Sequence, residues 1–233
     1  MPMLAALLVL VASARAGVPE DLASASDGTL PMSVRQAAYG RIVASGDVEV
    51  LVTEAQDARN PDARRWVAVR ALGPMPAKAA RDALVKLVDA RDAYTRIAAL
   101  GALAERNDRS DSGRIAGRLR DKALLVRFAA ADALGRIRDP ATLPDLSRAL
   151  EDPSNRHRGA SLFLRRAYVD AIARIGTDAA PPHLARVLED DDPAVVEAAL
   201  FGLERLAGFD YRDGRSATEE IAAWKRWAAS RTR

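Results

Sequence analysis

The chain has 233 residues, of which 49% are hydrophobic but only 5% aromatic, with no cysteine and a formal net charge of +3. Disulfides, thiolate chemistry and a lipid-anchor cysteine are therefore excluded, and so weak a charge balance does not point to nucleic acid. No sustained period-two run of β-branched residues occurs, which argues against a β-rich fold.

The first sixteen residues, MPMLAALLVLVASARA, carry a short apolar core from Leu4 to Ala12 and end in Ala14-Arg15-Ala16 before Gly17. This pattern fits a secretory leader cleaved after Ala16 and too short to span a bilayer, although no Lys or Arg precedes the apolar core. The expected location is periplasmic or secreted. Residues 17–30, rich in Ser, Ala, Asp and Gly, are expected to form a flexible lead-in.

Pro31 opens the first helix, whose apolar face carries Val34, Ala37, Ala38 and Ile42; Ser45-Gly46-Asp47 turns into a second helix reaching about Ala58. Asn60-Pro61 begins the next pair, with Pro near the first helical position. Gly73-Pro74-Met75-Pro76 is its internal turn. Asp89 to Asp92 leads into a pair holding Tyr94, Ile97 and Leu103, with its turn at Asn107 to Ser112.

The stretch Asp121 to Asp152 shows the repeating unit most clearly. Leu125, Ala129, Ala130, Ala133, Leu134 and Ile137 recur at the three- and four-residue spacing of one buried helical face. Gly135 and Asp139-Pro140 mark the stop of that helix. A second helix follows with Leu143, Leu146 and Leu150. Leu72, Leu103 and Leu134 stand 31 residues apart, as do Ile172 and Leu203, while 38 residues separate Leu134 from Ile172, so seven are inserted there. The second helices hold the same register through Leu84, Ile115, Leu146 and Leu184, and through Val88, Leu119, Leu150 and Leu188. A fixed period of this kind means stacked helical hairpins that bury their apolar stripes against their neighbours.

The pattern Asp121…Val126-Arg127-x-x-Ala130-x-x-Ala133-Leu134-Gly135 resembles the HEAT repeat in the short form of phycobilin-lyase-like HEAT proteins, over about residues 31–207. The resemblance implies an all-α, right-handed solenoid of about six hairpins, with first helices on the convex side and second helices lining the concave side. It does not fix the function, because such proteins include scaffolds, lyase subunits and DNA-repair proteins.

The inserted residues lie in Asp152 to Phe163, DPSNRHRGASLF, where Arg156, His157 and Arg158 precede Gly159. The segment reads as a tolerated surface loop or as a binding edge. Residues 208–233 are a loop and a closing helix. Ser216-Ala217-Thr218-Glu219 fits a capping box, and Trp224 and Trp227 read as the hydrophobic cap of the array, or else as an aromatic ligand platform.

Arg35, Arg65, Arg96, Arg127 and Arg165 occupy one repeat position, and Val196 breaks the column. Five aligned cations suggest an anion track. The resemblance instead implies a structural ladder, each arginine reaching an aspartate in a preceding turn. Asp121 suits Arg127, and Asp89 or Asp92 suits Arg96. The turn before Arg165 lacks a well-placed acid, which would leave that arginine free.

A second basic row, Lys86, Arg148 and Arg186 with Arg114 and Arg118 flanking the gap at Gly117, lies two residues beyond buried leucines on the second helices. It reads as a solvated face or as a binding face. The residues from Arg106 to Arg138 are predominantly basic, whereas Glu189-Asp190-Asp191-Asp192, Glu197 and Glu204 form an uncompensated acidic end. That run lacks the ligand spacing of a calcium loop, and an Asp before Pro193 suits a helix cap. His157 and His183, the two histidines of the chain, have no metal-ligand spacing, and neither a nucleophile elbow nor a phosphate-binding glycine loop occurs.

The sequence is thus read as a non-catalytic, monomeric scaffold of the cell envelope that binds a protein partner of acidic character through its concave face. No cofactor, metal, nucleic acid or membrane span is expected once the leader is removed. The alternative is a phycobilin-lyase-like subunit acting on a partner protein.

Overall fold

A computed structural model describes residues 17–211 and 214–231, so the expected leader lies outside the described residues. Those residues are helical apart from one β-hairpin of two-residue strands and the turns. They divide into two compact units, with the boundary between Arg106 and Asn107.

The first unit contains α1 (Val18–Ser26), α2 (Met32–Ser45), α3 (Val48–Gln56), α4 (Asp62–Ala71), α5 (Lys78–Leu87) and α6 (Ala93–Arg106). From α2 onward, even-numbered helices are the first members of successive pairs and odd-numbered helices the second. Helix α3 packs on α4, α4 on α6 and α5 on α6. The equivalent residues Ile42, Leu72 and Leu103 are each fully buried, as is Leu84 on the second helix α5. Gly46 takes the left-handed conformation (φ +67) that ends α2. The Asp47 side chain then accepts the Val50 N–H to start α3.

Residues 17–30 are not a flexible lead-in. Helix α1 fills most of that segment and packs on α2 and α4. Leu22 is fully buried, and the nearly buried Asp21 carboxylate accepts from Arg41 Nη2 at 2.6 Å and Nε at 3.0 Å. The small polar composition is compatible with a helix because Ser24 and Ser26 donate back to the Glu20 and Leu22 carbonyls, and tertiary burial of Leu22 and Ala25 supplies what propensity does not.

The second unit contains α7 (Ser112–Ala116, continued as a 3₁₀ turn over Gly117–Arg120), α8 (Leu124–Ile137), α9 (Leu143–Glu151), β1 (Arg156–His157), β2 (Ala160–Ser161), α10 (Phe163–Ile175), α11 (Ala180–Ala185), α12 (Pro193–Ala207) and α13 (Ala217–Ala229). First helices stack on one another, α8 on α10 and α10 on α12, while α9 packs on α10 and α11 on α12. Leu134, Ile172 and Leu203 have no exposed surface. The fold class is all-α helical repeat.

Small residues set the close approach of these helices. A Cβ on Gly135 would stand 3.1 Å from the Ala171 Cα, and one on Gly202 would stand 2.8 Å from the Ala173 Cβ. Gly135 is therefore a packing position within α8 and not the stop expected from sequence; Arg138, at φ +55, ends that helix.

The inserted segment is ordered. After a 3₁₀ turn at Pro153–Asn155, β1 pairs antiparallel with β2 across Arg158 (φ +51) and Gly159 (φ +83). Two successive positive φ values are what a tight two-residue hairpin turn demands, and glycine supplies the second without strain. Asn155 holds the base of the hairpin: it is 1% exposed, donates to the Ala149 carbonyl at 2.7 Å and accepts from Arg127 at 2.8 Å.

Helix α13 closes the second unit. Its capping box forms through Ser216 and Glu219. Trp224 is fully buried, stacked on Phe209 with ring centroids 5.8 Å apart and met edge-on by Tyr211 at 4.7 Å and Trp227 at 5.5 Å. Arg231 covers the half-buried Trp227 ring at 5.0 Å.

Candidate functional site

The arginine column is anchored into turns. Arg35 Nε lies 3.4 Å from the Ala25 carbonyl oxygen. Arg96, 4% exposed, donates to the Ala90 and Arg91 carbonyls at 2.9 and 3.0 Å. Arg127 donates to the Asp121 carbonyl and, through Nη1, to Ser154 Oγ at 3.0 Å and Asn155 Oδ1 at 2.8 Å. The acid partners differ from one arginine to the next. Arg65 pairs with Asp62 in the first turn of its own helix and lies 3.2 Å from Asp92 in the following turn, while Arg165 takes Asp190 from the following turn at 2.8 Å. Arg165 is accordingly not free. It is 3% exposed and also donates to the Leu150 carbonyl and Ser161 Oγ.

The acidic end is likewise compensated. Besides the Arg165–Asp190 pair, Arg156 holds Asp191 through two bonds of 2.7 and 2.8 Å, and Lys225 meets Glu189 at 2.6 Å. The hydrogen bond from Arg156 holds the Asp191 carboxyl down at about 2. Asp192 accepts the Ala194 N–H as the cap of α12. The Arg156–Asp191 contact docks the inserted hairpin on the turn before α12, while His157 and Arg158 remain exposed.

Of the second-helix row, Lys86, Arg114, Arg148 and Arg186 are exposed and Arg118 is half-buried. Three of these cations stand beside acids. Arg148 pairs with Asp145, Arg186 with Glu151 at 2.9 Å, and Arg118 lies 3.9 Å from Asp121. Pairing of this kind leaves little net field for an anionic partner, and exposed pairs contribute only about 0–1 kcal/mol each.

Sequence reasoning missed a set of exposed aromatic side chains. Trp66, Tyr94, Phe128, Phe163 and Phe201 are 38–63% exposed, one on each of α4, α6, α8, α10 and α12. Trp66 and Phe128 follow the arginine position by one residue, Tyr94 and Phe163 precede it by two, and Phe201 follows Val196 by five. At about 100° per residue these offsets fall within about 60° of one another. Each of these five first helices therefore presents one aromatic ring in the same angular sector. In the second unit Leu124 and Leu125 extend the surface, and the Phe128 and Phe163 rings touch with centroids 5.9 Å apart. The signal was present in the spacing but required the helical angle rather than a fixed repeat position.

Ser147 Oγ and His183 Nδ1 lie 2.6 Å apart between α9 and α11. Burial first, and Arg186 second, push the imidazole below its ordinary value. The unfolded chain then takes up a proton at a pH where the folded chain resists it, so stability is lost as pH falls below about 6.5. Thermal melts are expected to show a fall in Tm between about pH 7 and pH 5 that shrinks in His183→Asn; an unchanged fall would assign it to other groups.

The model of the PBS lyase HEAT-like repeat family matches residues 64–90 and 126–152, the stretches that open α4–α5 and α8–α9. The chain contains HEAT-like repeats. An engineered protein of solved structure shares 20% identity with this chain, covers 82% of it and 89% of its own length, and superposes with a TM-score of 0.51, which reflects a common fold. Human deoxyhypusine hydroxylase, solved in complex with glycerol, is 15% identical over 82% of this chain and 96% of its own, with a TM-score of 0.49. The complex of CpcE and CpcF of phycocyanin lyase from Nostoc sp. PCC7120 is 17% identical over 92% and 95%, with a TM-score of 0.35. No curated protein matches the sequence.

Proposed function

We propose that this chain is a non-catalytic scaffold that grips a protein partner through the exposed apolar side chains of its first helices. The observation that carries this reading is the contiguous patch of Leu124, Leu125, Phe128 and Phe163 in the second unit, each 38–57% exposed. Clustered exposed aromatic and aliphatic side chains on a soluble repeat protein are the signature of an interaction surface, and aromatic anchors dominate binding energy at such surfaces. The basic second-helix row supports the reading less well, because Arg148 and Arg186 already face Asp145 and Glu151. The apolar first sixteen residues favour a cell-envelope location, which fractionation with a tagged chain tests.

The double variant Phe128→Asp/Phe163→Asp is expected to melt like the parent yet lose partner capture by at least about 30-fold, the loss of roughly 2 kcal/mol that a single aromatic anchor would account for being the minimum. Reversal of Arg148 and Arg186 to Glu is expected to leave capture in place. The opposite pattern would return the binding face to the second helices.

A lyase-type subunit acting on a partner protein is the second reading, favoured by the family whose repeat model matches α4–α5 and α8–α9. The chain has no cysteine, so any thiol bearing a bilin would have to belong to the partner. Incubation of the captured partner with a bilin, followed by denaturing gels viewed by zinc-enhanced fluorescence, separates the two readings. Covalent labelling dependent on this chain would favour the lyase.

A further inference from the structure

We propose that the groove lined by α10 and α12 receives a basic, amphipathic segment of the protein partner, an inference that rests on reading the first helices as the partner-binding face. The groove has a volume of about 870 Å³ and lies wholly within the second unit. Its apolar wall includes Val196 and Phe201, and Phe201 is 63% exposed, more than any other large hydrophobic side chain described. Glu197 and Asp170 border it, beside Arg166.

The charges decide the occupant. Arg166 lies 4.0 Å from Asp170 and 3.8 Å from Glu197, beyond hydrogen-bond range of both. Their side chains are 47% and 75% exposed, so one guanidinium is shared between two hydrated carboxylates. This is unlike the tight pairs elsewhere in the unit, such as Arg156–Asp191 at 2.7 Å. A lysine or arginine arriving from a partner can supply the missing counter-charge, lay its methylene stem along Val196 and set its cation over the Phe201 face. A neighbouring apolar side chain of the same segment would fill the remaining groove. An acidic segment would meet like charge, and a purely polar one would leave Phe201 in water. The whole chain carries +3, so its overall charge does not draw in a basic ligand.

The test is fluorescence anisotropy with the full chain and labelled helical peptides built from lysine and leucine, from glutamate and leucine, and from lysine and serine. The lysine–leucine peptide is expected to bind, and the other two to bind at least about tenfold more weakly. Raising salt should weaken binding, and both Asp170→Lys/Glu197→Lys and Phe201→Ser should weaken it at least about tenfold, with melting curves confirming the fold. Equal binding of the three peptides, or indifference to those variants, would overturn the proposal. Competition by spermidine as effective as by the peptide would overturn the choice of a protein segment. If the lysine–leucine peptide fails to bind while Phe128→Asp/Phe163→Asp still abolishes partner capture, the groove assignment falls and the first-helix reading stands.

Discussion

Leu134→Ala is expected to destabilise the second unit by about 2–5 kcal/mol and to do so locally. Leu134 has no exposed surface in α8, which stacks on α10. Removing its side chain deletes three carbons of buried apolar surface and leaves a cavity that stacked helices can close only in part. In a compact globule with one shared core that loss would be felt throughout. In a helical-repeat stack each pair rests on its sequence neighbours, so stability is close to a sum of local terms. Native-state hydrogen exchange followed by mass spectrometry is therefore expected to lose protection over α8, α9 and α10, while α2, α3 and α4 keep theirs. Uniform loss across the chain would show a single cooperative core instead.

Arg165→Ala should be comparably damaging, at about 3–5 kcal/mol, for a different reason. Arg165 is 3% exposed, and its guanidinium satisfies the Asp190 carboxylate, whose side chain is 10% exposed, together with the Leu150 carbonyl and Ser161 Oγ. Truncation strands a buried carboxylate and two further acceptors. It also unfastens three segments at once: the end of α9, the inserted hairpin and the turn before α12. Urea titration is expected to show a shifted midpoint, and Arg165→Met/Asp190→Asn should recover a substantial part of the loss by removing the orphaned charge. The exposed pair of Arg148 and Asp145 is the control, because its removal should change stability by less than about 1 kcal/mol. Equal effects at the two sites would mean that the column does not fasten the turns.

The repeat itself was legible in the sequence because its signal is redundant. Two rows of apolar residues keep register, and the positions they mark, from Ile42 to Leu203, are buried. Caps were legible too, since Asp192 before Pro193 and Ser216 with Glu219 act within three residues of themselves. What escaped depended on residues distant in sequence. Helix α1 draws its order from burial of Leu22 and from Arg41, twenty residues beyond Asp21. The acid for Arg165 lies 25 residues downstream, so inspection of the preceding turn could not find it. The inserted hairpin turns at Arg158 with φ +51, a conformation that an arginine does not announce.

The exposed aromatics escaped for a geometric reason. They hold a constant angle on their helices but not a constant repeat position, so Trp66 and Tyr94 do not align in a register that aligns Leu72 and Leu103. The same register drew attention to Lys86, Arg148 and Arg186, whose alignment is real but whose charges, at Arg148 and Arg186, are met by nearby carboxylates.

The most direct measurement of the binding face is site-specific photocrosslinking in native cells, with benzoylphenylalanine placed at position 128 or 163 in one set and at 148 or 186 in the other. Adducts of a single discrete mass from positions 128 and 163, with none from 148 and 186, are the predicted result. Adducts from 148 and 186 alone would place the partner on the second helices and contradict it.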